Sequence, residues 1–524
     1  MSEQEKQPDN QTTQPVKKKK TCRKILCVGS AVIFVPVLGL VTALSFDSGQ
    51  RALIQLADKM LDSLSIEQVS GGLQDGLVLE NLRFQTTGVD VALPKTRLQL
   101  NLARLLSGDI IVDDLSLTQP QIAIDTSVMP PSEEKQTESG PMEKIHLPVS
   151  VQVKNVTITD FDMKLDQSNI AFSSFQSAVS LNNESGLTLE PTTLSDVLFS
   201  TVSQAQPNTP QPEKKEPAKP VDWAQIEQTL TPAFLGNLNA VNLPFDMHIP
   251  SFLGTNWQYQ SLNEKGEEIQ KITVPKVELQ ADATDHLVKL QKLDIDSSLG
   301  TLSSQGKLQL NDDFPVDLTL KSDLQAFKSK DKTILPASKV DLNLSGSLKK
   351  TTALSLTTQG VLDATLTGDV KLAEDKMPLN LQLKAKKGQY AFADSLAPLK
   401  INDVDIKLTG DLLNYHAEVI GGVEGMDHIP HTHVDLNADG KLYEVTLNEL
   451  KLAALDGTAR LTGSSNWKDG AQWDVTADLN KMNIRPYVPA MPAVLSGKVS
   501  SQGSADSNHW KVDVPTVDLT GSLS

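Results

Sequence analysis

The chain has 524 residues, a formal net charge of −17, 39% hydrophobic residues and only 4% aromatic ones. Its length corresponds to about three or four domains. The acidic balance argues against a nucleic-acid binder, which requires basic patches, and two cysteines are too few for a disulfide framework.

The charge is split along the chain. Residues 1–24 carry seven basic side chains against three acidic ones, while residues 25–524 carry 41 basic against 62 acidic, a net −21. Lys17, Lys18, Lys19, Lys20, Arg23 and Lys24 stand directly before 25–46, a run of 22 residues with no charged side chain. At 1.5 Å per residue a helix of this run reaches about 33 Å, enough for a hydrocarbon core of about 30 Å. Ile25, Leu26, Val32, Ile33, Phe34, Val35, Leu38 and Leu40 supply its apolar surface. A cleaved signal peptide has a shorter apolar region, about 7–15 residues, and a small-residue cleavage site. The run here is longer and 40–45 is a poor cleavage site, so a retained single-pass transmembrane anchor is predicted. The positive-inside rule places 1–24 in the cytoplasm and 47–524 on the exported side. Both cysteines, Cys22 and Cys27, belong to this head and anchor. Cys22 reads as an ordinary helix-end cysteine, with lipidation as the alternative.

Past the anchor, 47–65 reads as an amphipathic helix. Leu53, Leu56, Ala57, Met60, Leu61 and Leu64 recur at helical spacing, with Asp47 or Ser48 as N-cap. Residues 66–125 form a first β segment. A flexible linker follows over 126–147, with Pro130, Pro131 and Pro141 among polar residues. A second β segment spans 148–202. Residues 203–221 are a Pro-rich flexible linker, too polar to repay ordering. A short helix is expected over 222–240, broken or restarted near Pro232. Residues 241–524 read as repetitive β structure.

The strands share a template, aliphatic-x-aliphatic-x-x-aliphatic-x-aliphatic. It occurs at Leu77/Leu79/Leu82/Phe84, Ile110/Val112/Leu115/Leu117, Val151/Val153/Val156/Ile158 and Ile272/Val274/Val277/Leu279. It returns at Val288/Leu290/Leu293/Ile295, Leu399/Ile401/Val404/Ile406, Val445/Leu447/Leu450/Leu452 and Val512/Val514/Val517/Leu519. Period-two alternation gives one apolar and one wet face. The double step in the middle would flip the face unless a β-bulge absorbs the extra residue. A two-residue turn is the rival reading, but most of these pairs lack turn residues. Two copies also align without a gap, so that Val288, Leu290, Leu293, Gly300, Thr301, Gly306, Asp317 and Thr319 match Val445, Leu447, Leu450, Gly457, Thr458, Gly463, Asp474 and Thr476. One architectural unit is therefore used repeatedly.

About 400 residues outside linkers and helices make some 30–35 strands, and at about 4.8 Å each a stack on the order of 150 Å long. Its apolar face is either hidden in sandwiches or curled into a trough with something bound along it, because a free face that long exceeds what a soluble monomer tolerates.

Several segments carry a family resemblance: 69–73 (VSGGL), 76–84 (GLVLENLRF), 129–133 (MPPSE), 243–247 (LPFDM), 293–298 (LDIDSS), 315–320 (PVDLTL) and 512–515 (VDVP). Their order, with an anchor before and linkers between, resembles the TamB family of the AsmA-like, bridge-like group. The resemblance implies a mainly β protein: an N-terminal transmembrane helix followed by an elongated, curled antiparallel or mixed sheet with an apolar groove. It implies a location in the inner membrane with the bulk of the chain in the periplasm, phospholipid transport to the outer membrane, and a β-barrel partner there, TamA. Family members are longer and carry a C-terminal domain that engages the partner. This chain stops at Ser524 within a strand-like pattern, so it reads as the N-terminal portion of such a protein, a fragment or a truncated product.

Other chemistry is weak. His428, His431 and His433 lie together without carboxylates or cysteines at ligand spacing, so a solvated loop or strand end is the reading preferred to a metal site. Asp113–Asp114 and Asp312–Asp313 are adjacent, and adjacent strand residues point to opposite faces. No phosphate-loop, dinucleotide or nucleophile-elbow motif is present, so no enzyme and no cofactor are expected. The leading hypothesis is conduction of phospholipid acyl chains along Leu290, Leu293, Ile295, Leu447, Leu450 and Leu452. The alternatives are an assembly factor that pairs strands with outer-membrane barrels, a structural tether, and, for these six leucines and isoleucines, an ordinary sandwich core.

Overall fold

The computed structural model describes residues 63–105, 108–129, 144, 146, 149–202, 221–329, 332–360, 362–390, 397–425, 429–485, 493–506 and 509–523. The basic head, the anchor 25–46 and most of the helix expected at 47–65 lie outside them. Among the described residues no helix is long and apolar enough to cross a membrane.

The first strands are β1 (Leu64–Ser65), β2 (Gln68–Ser70), β3 (Leu77–Thr86) and β4 (Val89–Leu100). A four-residue helix α1 (Leu102–Leu105) precedes β5 (Asp109–Thr118), β6 (Gln121–Ile124), β7 (Ser150–Leu165) and β8 (Ser168–Asn182). Three short strands follow, β9 (Gly186–Leu189), β10 (Thr192–Ser195) and β11 (Leu198–Val202), then helix α2 (Trp223–Leu230). The long meander comprises β12 (Met247–Leu262), β13 (Glu268–Thr284), β14 (Leu287–Ser297), β15 (Gly300–Gln309) and β16 (Pro315–Leu324), a side hairpin β17 (Phe327–Ser329) and β18 (Lys332–Leu335), then β19 (Ser338–Ser347), β20 (Thr352–Gln359), β21 (Leu362–Val370) and β22 (Leu379–Tyr390). It ends with β23 (Leu399–Gly410), β24 (Asn414–Gly425), β25 (Ile429–Lys441), β26 (Glu444–Ala454), β27 (Gly457–Asn466), β28 (Ala471–Asn483), β29 (Ala493–Ala505) and β30 (Trp510–Leu523).

Twenty-eight of these strands form one mixed sheet. It is shorter than the strand count suggests, because several strands share one position. β1 and β2 both lie beside β3, β5 and β6 both fill the place between β4 and β7, and β9, β10 and β11 follow one another between β8 and β12. Spaced at about 4.8 Å, the remaining positions give roughly 110 Å rather than the expected 150 Å.

Two helix expectations change. Leu64–Ser65, at the end of the helix expected over 47–65, is strand, paired with Phe84 and Arg83. The helix expected over 222–240 ends at Leu230. Asp222 caps its start by accepting from the Gln225 amide at 3.0 Å, and Pro232, which lacks an N–H and crowds the preceding turn, prevents its continuation.

The bulge reading of the template holds where the register can show it. Extra residues shift the ladder between Val112 and Leu115, Val153 and Val156, Leu290 and Leu293, Asn402 and Asp405, and Leu447 and Leu450. On β30 the shift lies between Asp513 and Thr516. At Leu79/Leu82 and Val274/Val277 both partners skip one residue instead, Asn81 opposite Pro94 and Asn256 opposite Pro275. Each proline lacks the N–H a ladder needs, and each facing asparagine takes positive φ, 52° and 56°.

The two Pro-rich linkers fall where neighbouring strands run parallel. β6 lies parallel to β7, and β11 parallel to β12. A parallel connection must carry the chain back along a whole strand, which a tight turn cannot do.

Burial divides the sheet. Val91, Val112, Leu115, Ile122, Val156, Phe161 and neighbours on β4–β8 form a closed core in which these residues are 1–9% exposed. Stacked rings of Phe161 and Phe172, 4.6 Å apart, belong to it. Among the described residues, from β13 onward the contacts of any size run between hydrogen-bonded neighbours, and no second sheet packs on the first. Buried apolar strand residues there are mostly alanines, such as Ala364, Ala385, Ala438 and Ala459.

Candidate functional site

The candidate site is one face of the β12–β30 meander. Directly opposed residues of antiparallel strands project to the same side, so the register can be followed across the sheet. Phe252 on β12 faces Leu279, which faces Leu293, then Ser304, Leu320 and Leu342. The row continues through Leu356, Leu366, Leu383, Ile406 and Val419. It ends with Leu436, Leu450, Leu461, Ala477, Val499 and Val517. One residue from each strand of the meander, apart from the side hairpin β17–β18, stands in it, and Ser304 is its single polar member. All are half-buried except Val517 on the last strand. A sandwich core would hold such leucines fully covered.

Two further rows flank this one. Leu290 faces Ala281 and Gly306, and the same line leads by Leu318, Leu344 and Leu354 toward Ala438 and Leu447. Ile295 faces Val277 and Leu302. Its line passes Val340, Ala364 and Ala385 to the bulge at Asp403–Val404, and beyond Gly421 reaches Val434 and Leu452. The two predicted triplets, Leu290/Leu293/Ile295 and Leu447/Leu450/Leu452, therefore occupy equivalent places on the same three rows. The repeat unit is visible here too: Leu290 faces Gly306 and Gly306 faces Leu318, as Leu447 faces Gly463 and Gly463 faces Val475.

Several hydroxyls on this face are turned into the backbone. Ser304 Oγ donates to the Thr319 carbonyl at 3.1 Å, Ser322 Oγ to Thr301 at 2.9 Å, and Thr358 Oγ1 to Leu362 at 2.8 Å. A hydroxyl satisfied in this way does not demand water.

The opposite face is laced with ion pairs. Lys292 Nζ lies 2.6 Å from Glu278, Lys407 3.3 Å from Glu418, Lys451 2.8 Å from Glu449 and Arg460 2.6 Å from the same Glu449. Hydrogen bonds from Lys292, and next from Lys276, push the Glu278 carboxyl down to about 2. These exposed pairs add little stability each, but they keep this face wet and alternate its charges.

The groups weighed as chemistry do not converge. His431 is exposed and pairs with Glu424 at 3.3 Å, and His433 is exposed on the same strand. His428 lies outside the described residues. Asp113 pairs with Lys154 and Asp114 with Arg97 and Asn155. Among the described residues no group of three or more His, Cys, Asp or Glu is placed to hold a metal ion.

Sequence reasoning missed the role of 221–246, which crosses the ends of several hairpins. Its one signal was Trp223, one of five tryptophans in the chain.

Comparison with known proteins bears on this face. The family model described as "TamB, N-terminal domain" matches residues 36–524. The chain is 55% identical to the Translocation and assembly module subunit TamB of Haemophilus influenzae, over 100% of this chain and 40% of that protein. It is 21% identical to an uncharacterized protein of Buchnera aphidicola, over 95% of this chain and 48% of that one. The chain thus spans less than half the length of these relatives. No solved structure matches it.

Proposed function

The chain belongs to the TamB N-terminal domain family, and from that premise we propose that the aliphatic face of β12–β30 carries phospholipid acyl chains between the inner and outer membranes. In this reading residues 25–46 hold the chain in the inner membrane with 1–24 in the cytoplasm, and the sheet stands in the periplasm. Contact with a barrel partner in the outer membrane, TamA in this family, would involve the part of the longer protein beyond this chain.

The observation that carries the proposal is the half-exposed central row, aliphatic on strand after strand and, among the described residues, covered by no second sheet. In this reading the sheet curls, and local features favour it. Bulges bend strands, and glycines at positive φ, Gly368 at 150° and Gly463 at 151° inside strands and Gly410 at 125° at a strand end, favour further bending. The proposed trough has the aliphatic rows inside and the ion pairs outside.

The energetics suit passage. A buried methylene is worth about 0.8 kcal/mol, so an acyl chain of about sixteen carbons half-covered by the trough gains on the order of 6 kcal/mol. Neighbouring positions offer nearly the same side chains, so a step along the row exchanges like contacts for like. The open side leaves the headgroup in water. The closed core of β4–β8 is filled by its own side chains, so lipid reaches the row from the side, near β12, rather than through the N-terminal strands.

The test is a photo-crosslinking amino acid at Leu290 and, separately, at Gln291 in the full-length protein. Leu290 should give phospholipid adducts in cells and Gln291 few. Equal labelling at both positions, or none at Leu290, removes the proposal.

A further inference from the structure

We propose that residues 221–246 form a releasable wall along one long rim of the sheet, latched at its far end by Trp223. The rim is the one made by the turns β13–β14, β15–β16, β21–β22, β25–β26 and β27–β28. The segment touches these turns in order, backwards along the chain. The Leu243 amide donates to Asp285 at 3.2 Å, and the Val241 amide to Leu310 at 2.9 Å. Farther along, the Leu235 amide donates to Leu372 at 2.9 Å, the Ala233 amide to the Asp375 carboxylate at 3.2 Å, and Thr231 accepts from Lys376 at 2.7 Å. At the far end Trp223 Nε1 donates to the Lys468 carbonyl at 3.0 Å. Its ring lies 5.9 Å from that of Tyr443, which also carries Lys468 Nζ 4.9 Å from its centroid.

Length supports a strap rather than a loose loop. Seven hairpin turns stand in line from β13–β14 to β27–β28, and the six steps between them, two strand spacings each, make about 58 Å of rim. Residues 233–236 form a turn closed by the Gly236 amide on the Ala233 carbonyl at 3.2 Å. From Leu235 on the β21–β22 turn to Val241 on the β15–β16 turn the segment crosses two steps, about 19 Å, which six residues span only when extended, about 20 Å. The rim beneath it is sealed as well: Leu348 donates to Phe314 at 3.0 Å and Leu412 to Lys376 at 2.8 Å, linking neighbouring turns. Phe314 and Leu413, both in these turns, are only 4% and 7% exposed.

The same contacts make the wall releasable. They are single hydrogen bonds spaced along the segment, not a continuous ladder, and most side chains of 221–241 face solvent, Phe234 at 75%. Segments held this way open at low free energy. What the wall excludes rests on the acyl-chain reading above; the latch itself does not.

The experiment is amide hydrogen exchange on the full-length protein in detergent, comparing wild type with Trp223→Ala and Trp223→Phe. Trp223→Ala removes one hydrogen bond and one ring contact, each typically worth a several-fold change in an equilibrium. Exchange over 223–236 should rise about tenfold or more, while 241–246 and the strands β21–β28 keep their rates. Trp223→Phe retains a ring and should give a smaller rise. Unchanged exchange over 223–236 in Trp223→Ala overturns the latch. A rise spread equally through β21–β28 makes Trp223 an ordinary packing residue and overturns the wall. Neither outcome depends on lipid, so failure here and failure of the conduction proposal are told apart.

Discussion

Replacing Leu450 by arginine places a charge in the middle of the central row, between Leu436 and Leu461. Full burial of a leucine is worth about 1.5–3 kcal/mol, and Leu450 is only half-buried, so about 1 kcal/mol of folding stability is lost. Arginine lays its methylenes along the face and turns its guanidinium to water, which keeps the loss from growing. An acyl chain crossing that strand, however, must pass a charged group in hydrocarbon surroundings. That barrier is on the order of 2.5–3.5 kcal/mol, which slows passage by roughly a hundredfold. The assay is phospholipid supply to the outer membrane in cells that depend on the full-length protein, alongside its melting temperature. Lys451→Gln, on the ion-paired face, is the control and should leave supply unchanged. Normal supply in a folded Leu450→Arg protein would refute the reasoning.

Three other outcomes follow from the geometry. Gly463→Val puts a side chain onto the Asp474 carbonyl at a backbone φ of 151°; it should destabilise by about 2 kcal/mol or more, read as a lowered midpoint in denaturant. Val112→Ala in the closed N-terminal core, where Val112 is 1% exposed, should cost about 2 kcal/mol, whereas Val340→Ala on the half-open face should cost about half as much, since the cavity it leaves is open to solvent. Because Glu278 is held down to about 2 by Lys292 and then Lys276, the stabilisation from this cluster is complete above the ordinary glutamate range near 4.5. It fades as the pH falls toward about 2, so unfolding curves of wild type and Glu278→Gln should differ at neutral pH and converge in strong acid.

Local pattern was enough for the mainly β fold, for the paired aliphatic steps and for the bulges between them. Those features depend on a residue and its near neighbours: a period of two, an extra residue, a facing that must be restored. The exceptions were local in space but distant in sequence. Pro94 and Pro275 face Asn81 and Asn256 across the ladder, and only the register brings each pair together. Leu64 could not be assigned from its helical spacing, because its partner Phe84 lies in a strand twenty residues on.

The pattern also could not choose between a sandwich and a single sheet, since Leu293 and Leu450 read the same in either. The choice was made by what does not pack against them, and covering a face is a property of the whole chain. Parallel placement of β7 beside β6 and of β12 beside β11 explains why the linkers interrupt the strands where they do. Composition marked those linkers as flexible but offered no reason for their positions. The rim contacts of Trp223 with Tyr443 and Lys468 join residues more than two hundred positions apart, a distance over which sequence periodicity holds no information.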